Sequence, residues 1–105
     1  MTAETFQKHP KDEYPFRVVY VNEDGLTTYT ISSLSVTATD TAGTNVLNTV
    51  TNPSETSYSG NTASVWVRAG TAGQTYEIEV TATMASGEKL TKQLFMEVTD
   101  ETEAP

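Results

Sequence analysis

Thr75-Tyr76-Glu77-Ile78-Glu79-Val80-Thr81-Ala82-Thr83-Met84 is the stretch that decides the fold. One parity carries Tyr76, Ile78, Val80, Ala82 and Met84; the other carries Thr75, Glu77, Glu79, Thr81 and Thr83. Side chains alternate across a strand, so this is a strand with one apolar and one polar face, and no helical phase fits it. Ala85-Ser86-Gly87-Glu88 follows as a turn, with Gly87 free to take positive φ. Lys89 to Val98 then returns with Leu90, Leu94, Met96 and Val98 on one parity, interrupted by Lys92, and with Phe95 on the other. Thr75 to Val98 therefore reads as a long antiparallel hairpin.

Working outward, Thr62 to Arg68 is a second strand signal. Ala63, Val65 and Val67 share one face; Ser64, Trp66 and Arg68 share the other. Ala69 to Gln74, with two glycines, joins it to the hairpin as a loop. In the N-terminal half, Phe16 to Val21 reads as a strand and Asn22-Glu23-Asp24-Gly25 as a turn. From Thr28 to Thr39 the apolar parity flips: Tyr29 and Ile31 are odd, Leu34, Val36 and Ala38 even. One register cannot keep both sets inside, so a bulge or strand switch is expected at Ser32-Ser33. Val46 to Val50 reads as a short strand, broken by Asn52-Pro53-Ser54, and Glu55 to Ser59 as a short edge strand.

Six or seven short strands with short connections predict an all-β fold, an immunoglobulin-like antiparallel β-sandwich. Closure into a barrel is the structural alternative. The chain has no cysteine, so only the general architecture is expected, without the immunoglobulin disulfide. The pattern divides the chain into a flexible N-terminal arm over 1–14, the sandwich over 15–99 and an acidic tail over 100–105. The arm has two readings: a tail disordered by itself, or a segment that orders on a partner with Phe6 and Tyr14 as its anchors.

The formal charge is −8, from 14 Asp and Glu against 6 Lys and Arg. Phosphate backbones and anionic membranes repel such a surface, so neither nucleic acid nor membrane is expected as a partner. The polar start Met1-Thr2-Ala3-Glu4-Thr5 gives no signal peptide, and no apolar run approaches a membrane span.

Reactive chemistry finds little footing. The one histidine, His9, lies in the polar arm, where a catalytic geometry would have nothing rigid to hold it. Glu77 and Glu79 share the polar face of a strand, and Glu23-Asp24-Gly25 lacks the alternating Asp pattern of a calcium loop. Gly70-Thr71-Ala72-Gly73 sits between strands with no following lysine or helix, so it is no phosphate loop. No catalytic residue, cofactor or metal is expected. Trp66 has two readings: a core or subunit-interface residue, or a platform for sugar stacking.

Several short motifs resemble a known group. They are Val65-Trp66-Val67-Arg68-Ala69-Gly70-Thr71-Ala72-Gly73-Gln74-Thr75-Tyr76, then Val80-Thr81-Ala82-Thr83, Ser86-Gly87 and Phe95-Met96-Glu97-Val98. With Ile31-Ser32-Ser33-Leu34-Ser35-Val36 and the opening Phe6-Gln7-Lys8-His9-Pro10-Lys11-Asp12, they look like the small immunoglobulin-like accessory virion proteins of tailed bacteriophages. The segment Thr41 to Gly60 departs from that pattern. The resemblance implies a non-enzymatic structural protein of the virion, made in the host cytoplasm. Head decoration, head–tail connection and fibre attachment are its possible tasks. Its partners would be other virion proteins (capsid, connector, tail or fibre), met by many copies in an assembly. The expected partner-binding residues are Phe6, Tyr14, Trp66, Gly70, Thr71 and Gly73. The rival reading is a carbohydrate-binding or adhesive module of a bacterial surface protein.

Overall fold

The computed structural model describes residues 2–21 and 29–100. Its elements are strands β1 (Thr2–Lys8), β2 (Tyr14–Val19) and β3 (Ile31–Thr39), a one-turn helix α1 (Leu47–Val50), a 3-10 turn (Pro53–Glu55), and strands β4 (Ser57–Ser59), β5 (Thr62–Val67), β6 (Thr75–Met84) and β7 (Lys89–Val98). They form two sheets, one ordered β1-β7-β6-β3 and the other β2-β5-β4. All pairings are antiparallel except β1 with β7. The fold is all-β.

The alternation that defines the hairpin also builds the core. Tyr76, Ile78, Val80, Ala82 and Met84 of β6 are buried, as are Leu94, Met96 and Val98 of β7. They face Ala63, Val65 and Val67 of β5 and Val18 of β2, so both sheets share one apolar cluster. Each Val, Leu, Ile or Met among them contributes roughly 1.5–3 kcal/mol on full burial. Further contacts tie the sheets beyond this. Phe6 of β1 stacks on Phe16 of β2 with centroids 4.1 Å apart and planes 20° apart. The buried Tyr20 hydroxyl donates to the Val80 carbonyl at 2.7 Å. Lys92, which interrupts the apolar parity of β7, holds its ammonium 5.8 Å from the Tyr20 ring centroid, within cation–π range.

The parity flip at Ser32-Ser33 is a register shift between Ile31 and Ser33 in the β3–β6 ladder. It keeps Ile31 and Ala38 both buried, with Leu34 and Val36 packed against the core. The expected edge strand is β4, at the margin of the three-stranded sheet.

One expectation differs. Val46 to Val50 is not a strand. Asn45 Oδ1 accepts the Leu47 amide at 3.0 Å, and the chain takes one helical turn that buries Val50. That turn crosses from β3 to β5, where Arg68 donates its amide to the Val50 carbonyl at 2.9 Å. The N-terminal stretch placed in an arm holds β1, paired in register from Thr2↔Lys92 to Lys8↔Val98. The turn expected at Asn22 to Gly25 and the tail from Glu101 lie outside the described residues.

Candidate functional site

The groups able to do chemistry stand apart. His9 closes a turn: its carbonyl accepts the Asp12 amide at 3.0 Å and its Nδ1 accepts the Lys11 amide at 3.0 Å. Among the described residues, no three His, Asp or Glu side chains come together as a metal site. Glu77 and Glu79 point away from the core beside Thr37 and Thr39. The arrangement is one of surfaces.

Register brings most of the expected contact residues to one end of the body. Tyr14 pairs with Val67 and Pro15 with Trp66; the loop 69–74 leaves β5 at that end. The loop is clamped. Thr71 donates its amide to the Tyr76 hydroxyl at 2.9 Å, and Gly73 to the Val98 carbonyl at 2.8 Å. Ala69 and Gly70 take positive φ, 51° and 94°. A Cβ on Gly70 would lie 2.7 Å from Val98 Cγ2 and 3.2 Å from Tyr76 Cε2. Gly70 is thus required by packing as well as by conformation. Gly73, at φ 88°, meets nothing within 4 Å. Thr71 and Gly73 are exposed and available for contact.

Phe6 and Tyr14 turn inward and pack against the core cluster. Burial raises the Tyr14 pKa above its ordinary value, helped by the Asp12 charge. Lys8, unmarked by sequence reasoning, is only 2 % exposed, its Nζ donating to the His9 carbonyl at 2.7 Å. Burial lowers its pKa, while the carboxylates of Asp12 and Glu13 pull it back. No sequence signal marks this lysine as buried, because its strand pairs in parallel with residues ninety positions away.

Trp66 lies on the outer face of β2-β5-β4, half-buried, among Pro15, Ser64 and Arg17. A sugar platform needs two or three aromatics on one face; here Trp66 stands alone among the described residues.

Sequence reasoning missed a cleft of about 460 Å³ between the margins of the two sheets. Leu34 and Val36 of β3 line one wall; Leu47, Thr51, Pro53 and Tyr58 belong to the other. The Tyr58 hydroxyl donates to the Ser32 carbonyl at 2.6 Å and ties β4 to β3 at one end. Its residues lie in Thr41 to Gly60, where no motif guided the reading, and in the outer strand β3.

No helix among the described residues is long and apolar enough to cross a membrane. No curated protein matches the chain. A family model does, over residues 8–97: the one described as podophage GP4 fiber-tail adaptor protein gp77. The match spans the strands from β2 to β7 and the loop that Gly70 shapes, and by it the chain belongs to this phage fiber-tail adaptor family, as an accessory structural protein of the virion.

Proposed function

We infer that the chain joins a fibre to the tail by protein–protein contact alone, in several copies, without catalysis, and on an immunoglobulin-like sandwich. The family match over residues 8–97 carries this reading. The strand orders support the sandwich: β2-β5-β4 and β7-β6-β3 group as the B-E-D and G-F-C strands of such folds, with β1 set beside the last strand. The end bearing Tyr14, Trp66, Gly70, Thr71 and Gly73, with Phe6 behind it, is the proposed contact with one partner. Repetition of a modest contact would give firm attachment through avidity. The acidic charge keeps free copies apart until they dock.

The test is rebinding. Tail particles prepared without this chain, and the isolated fibre protein, are each mixed with the purified chain and sedimented. Co-sedimentation with both, and fibre recruitment to tails only when the chain is present, is the expected result. A chain that joins neither, or recruits to capsids instead, refutes the reading.

A further inference from the structure

An adaptor needs a second interface, and the outer edge of β3 is built to be one. Four strands end the two sheets: β1, β3, β2 and β4. Exposed edges are commonly blunted by charge, proline or shortness. β1 carries Glu4 and Lys8, β2 carries Pro15 and Arg17, and β4 has 3 residues. β3, Ile-Ser-Ser-Leu-Ser-Val-Thr-Ala-Thr, has 9 residues with no charge and no proline, in a chain of formal charge −8.

Part of that edge is already used. Val46 donates its amide to the Ala38 carbonyl at 2.9 Å, and Tyr58 reaches the Ser32 carbonyl. Since the Ala38 carbonyl points outward, the alternation of an antiparallel ladder turns the N–H and C=O groups of Leu34 and Val36 outward too. Their side chains line the cleft beside that edge. Among the described residues, free main-chain groups thus run along an apolar slot, stopped at both ends by the chain's own contacts.

We propose that the β3 edge over Ser33–Thr37 takes an extended, uncharged segment of a tail or fibre protein as an added strand, with one aliphatic side chain seated in the cleft. This rests on the adaptor reading above. Main-chain pairing gives affinity and the cleft gives selectivity. Charge chooses the occupant. A second copy would bring two bodies of −8 together, whereas a neutral segment meets a neutral edge without that repulsion.

The test uses the same tail particles and fibre protein, with wild type, Val36→Lys and Val19→Lys. Val19 is an exposed residue on the outer face of the other sheet. Val36→Lys puts an inward-pointing charge at the edge, with a stem long enough to reach water through the cleft. Expected is loss of binding to one of the two partners by about a hundredfold, with binding to the other and circular dichroism unchanged, and wild-type behaviour for Val19→Lys. Hydrogen exchange on the wild-type complex gives a readout independent of any variant. The Leu34 and Val36 amides should slow by about tenfold or more on binding that partner. Equal binding by Val36→Lys and wild type, or unslowed Leu34 and Val36 amides in the complex, overturns the edge while leaving the adaptor reading intact. Dimerisation of the free chain that Val36→Lys abolishes assigns the edge to a second copy and overturns the proposal. Wild type that binds neither partner sinks both readings.

Discussion

Replacing Gly70 with alanine should destabilise the protein far more than the same change at Gly73. Both glycines have left-handed φ, 94° and 88°, so both substitutions cost about 1–2 kcal/mol in backbone strain. They differ in what the new methyl meets. At Gly73 it enters open space; at Gly70 it lies 2.7 Å from Val98 Cγ2 and 3.2 Å from Tyr76 Cε2. Neither neighbour yields freely. Val98 is 2 % exposed, and the Tyr76 hydroxyl is held by the Thr71 amide. Overpacking of this kind adds about 1–3 kcal/mol. Gly70→Ala should therefore cost about 2–5 kcal/mol, and Gly73→Ala about 1–2 kcal/mol. Urea unfolding followed by circular dichroism measures both, provided the m-values agree. Trimming the obstruction with Val98→Ala in the Gly70→Ala background should recover about 1 kcal/mol as coupling. Equal losses at the two glycines, or strictly additive Gly70 and Val98 effects, would refute the claim that close approach rather than φ sets the Gly70 cost.

Phe6→Ala should cost about 2–3 kcal/mol, below the full core value because Phe6 is only half-buried. Its β1 amides should lose exchange protection ahead of the β6–β7 hairpin, and a double-mutant cycle with Phe16→Ala should show about 1 kcal/mol of coupling. Trp66→Ala should cost no more than about 1–2 kcal/mol in urea unfolding, since the ring lies on an outer face, while weakening binding in the sedimentation assay. Burial pushes the Tyr20 phenol up to about 12 from 10.0. The folded state thus holds this proton more tightly, and the resulting stability, roughly 2–3 kcal/mol, is full below pH 10 and drains away as pH rises toward 12. Tyr20→Phe should lose about 1 kcal/mol at neutral pH with the hydrogen bond to Val80, yet flatten the alkaline decline seen in pH-dependent melting.

What the sequence made legible was whatever period two could encode. Thr75 to Met84 alternates cleanly because one face is core and the other is not, and β6 follows it, while β7 keeps the pattern only in its second half. The parity break at Ser32-Ser33 located the bulge because two incompatible registers cannot both be buried. The failures have equally local causes. Val46 to Val50 is apolar enough for a strand, but a side-chain oxygen at Asn45 starts a helical turn, and one turn is too short to show a 3.6-residue period. The packing of Phe6 and Tyr14 against the core was hidden too, because nothing in Thr2 to Lys8 alternates. Phe16, the ring that Phe6 stacks on, lies on the other sheet, and the core beneath both residues is shared by the two sheets, so neither contact is visible without register. The cleft escaped because it is made by one side of β3 and a non-repetitive segment together.

The two views of the N-terminus are reconciled by energetics. β7 brings Leu94, Met96 and Val98 to its inner face; β1, its parallel neighbour, brings Phe6 and Lys8 to the matching positions. A buried ammonium that donates to a carbonyl still loses hydration, which is why its pKa falls. A base with a lowered pKa opposes folding wherever it is protonated in the native state, so at neutral pH Lys8 works against the strand that carries it. The Phe6–Phe16 stack and the backbone ladder offset that cost, ending with Thr99 donating to the Lys8 carbonyl at 2.9 Å. Among its described side chains, Phe6 is the one that anchors β1, through its stack on Phe16 and its packing against the core, which leaves β1 weaker than the hairpin it joins. A sequence reader sees the polar residues and infers an arm; the fold spends Phe6 to dock it.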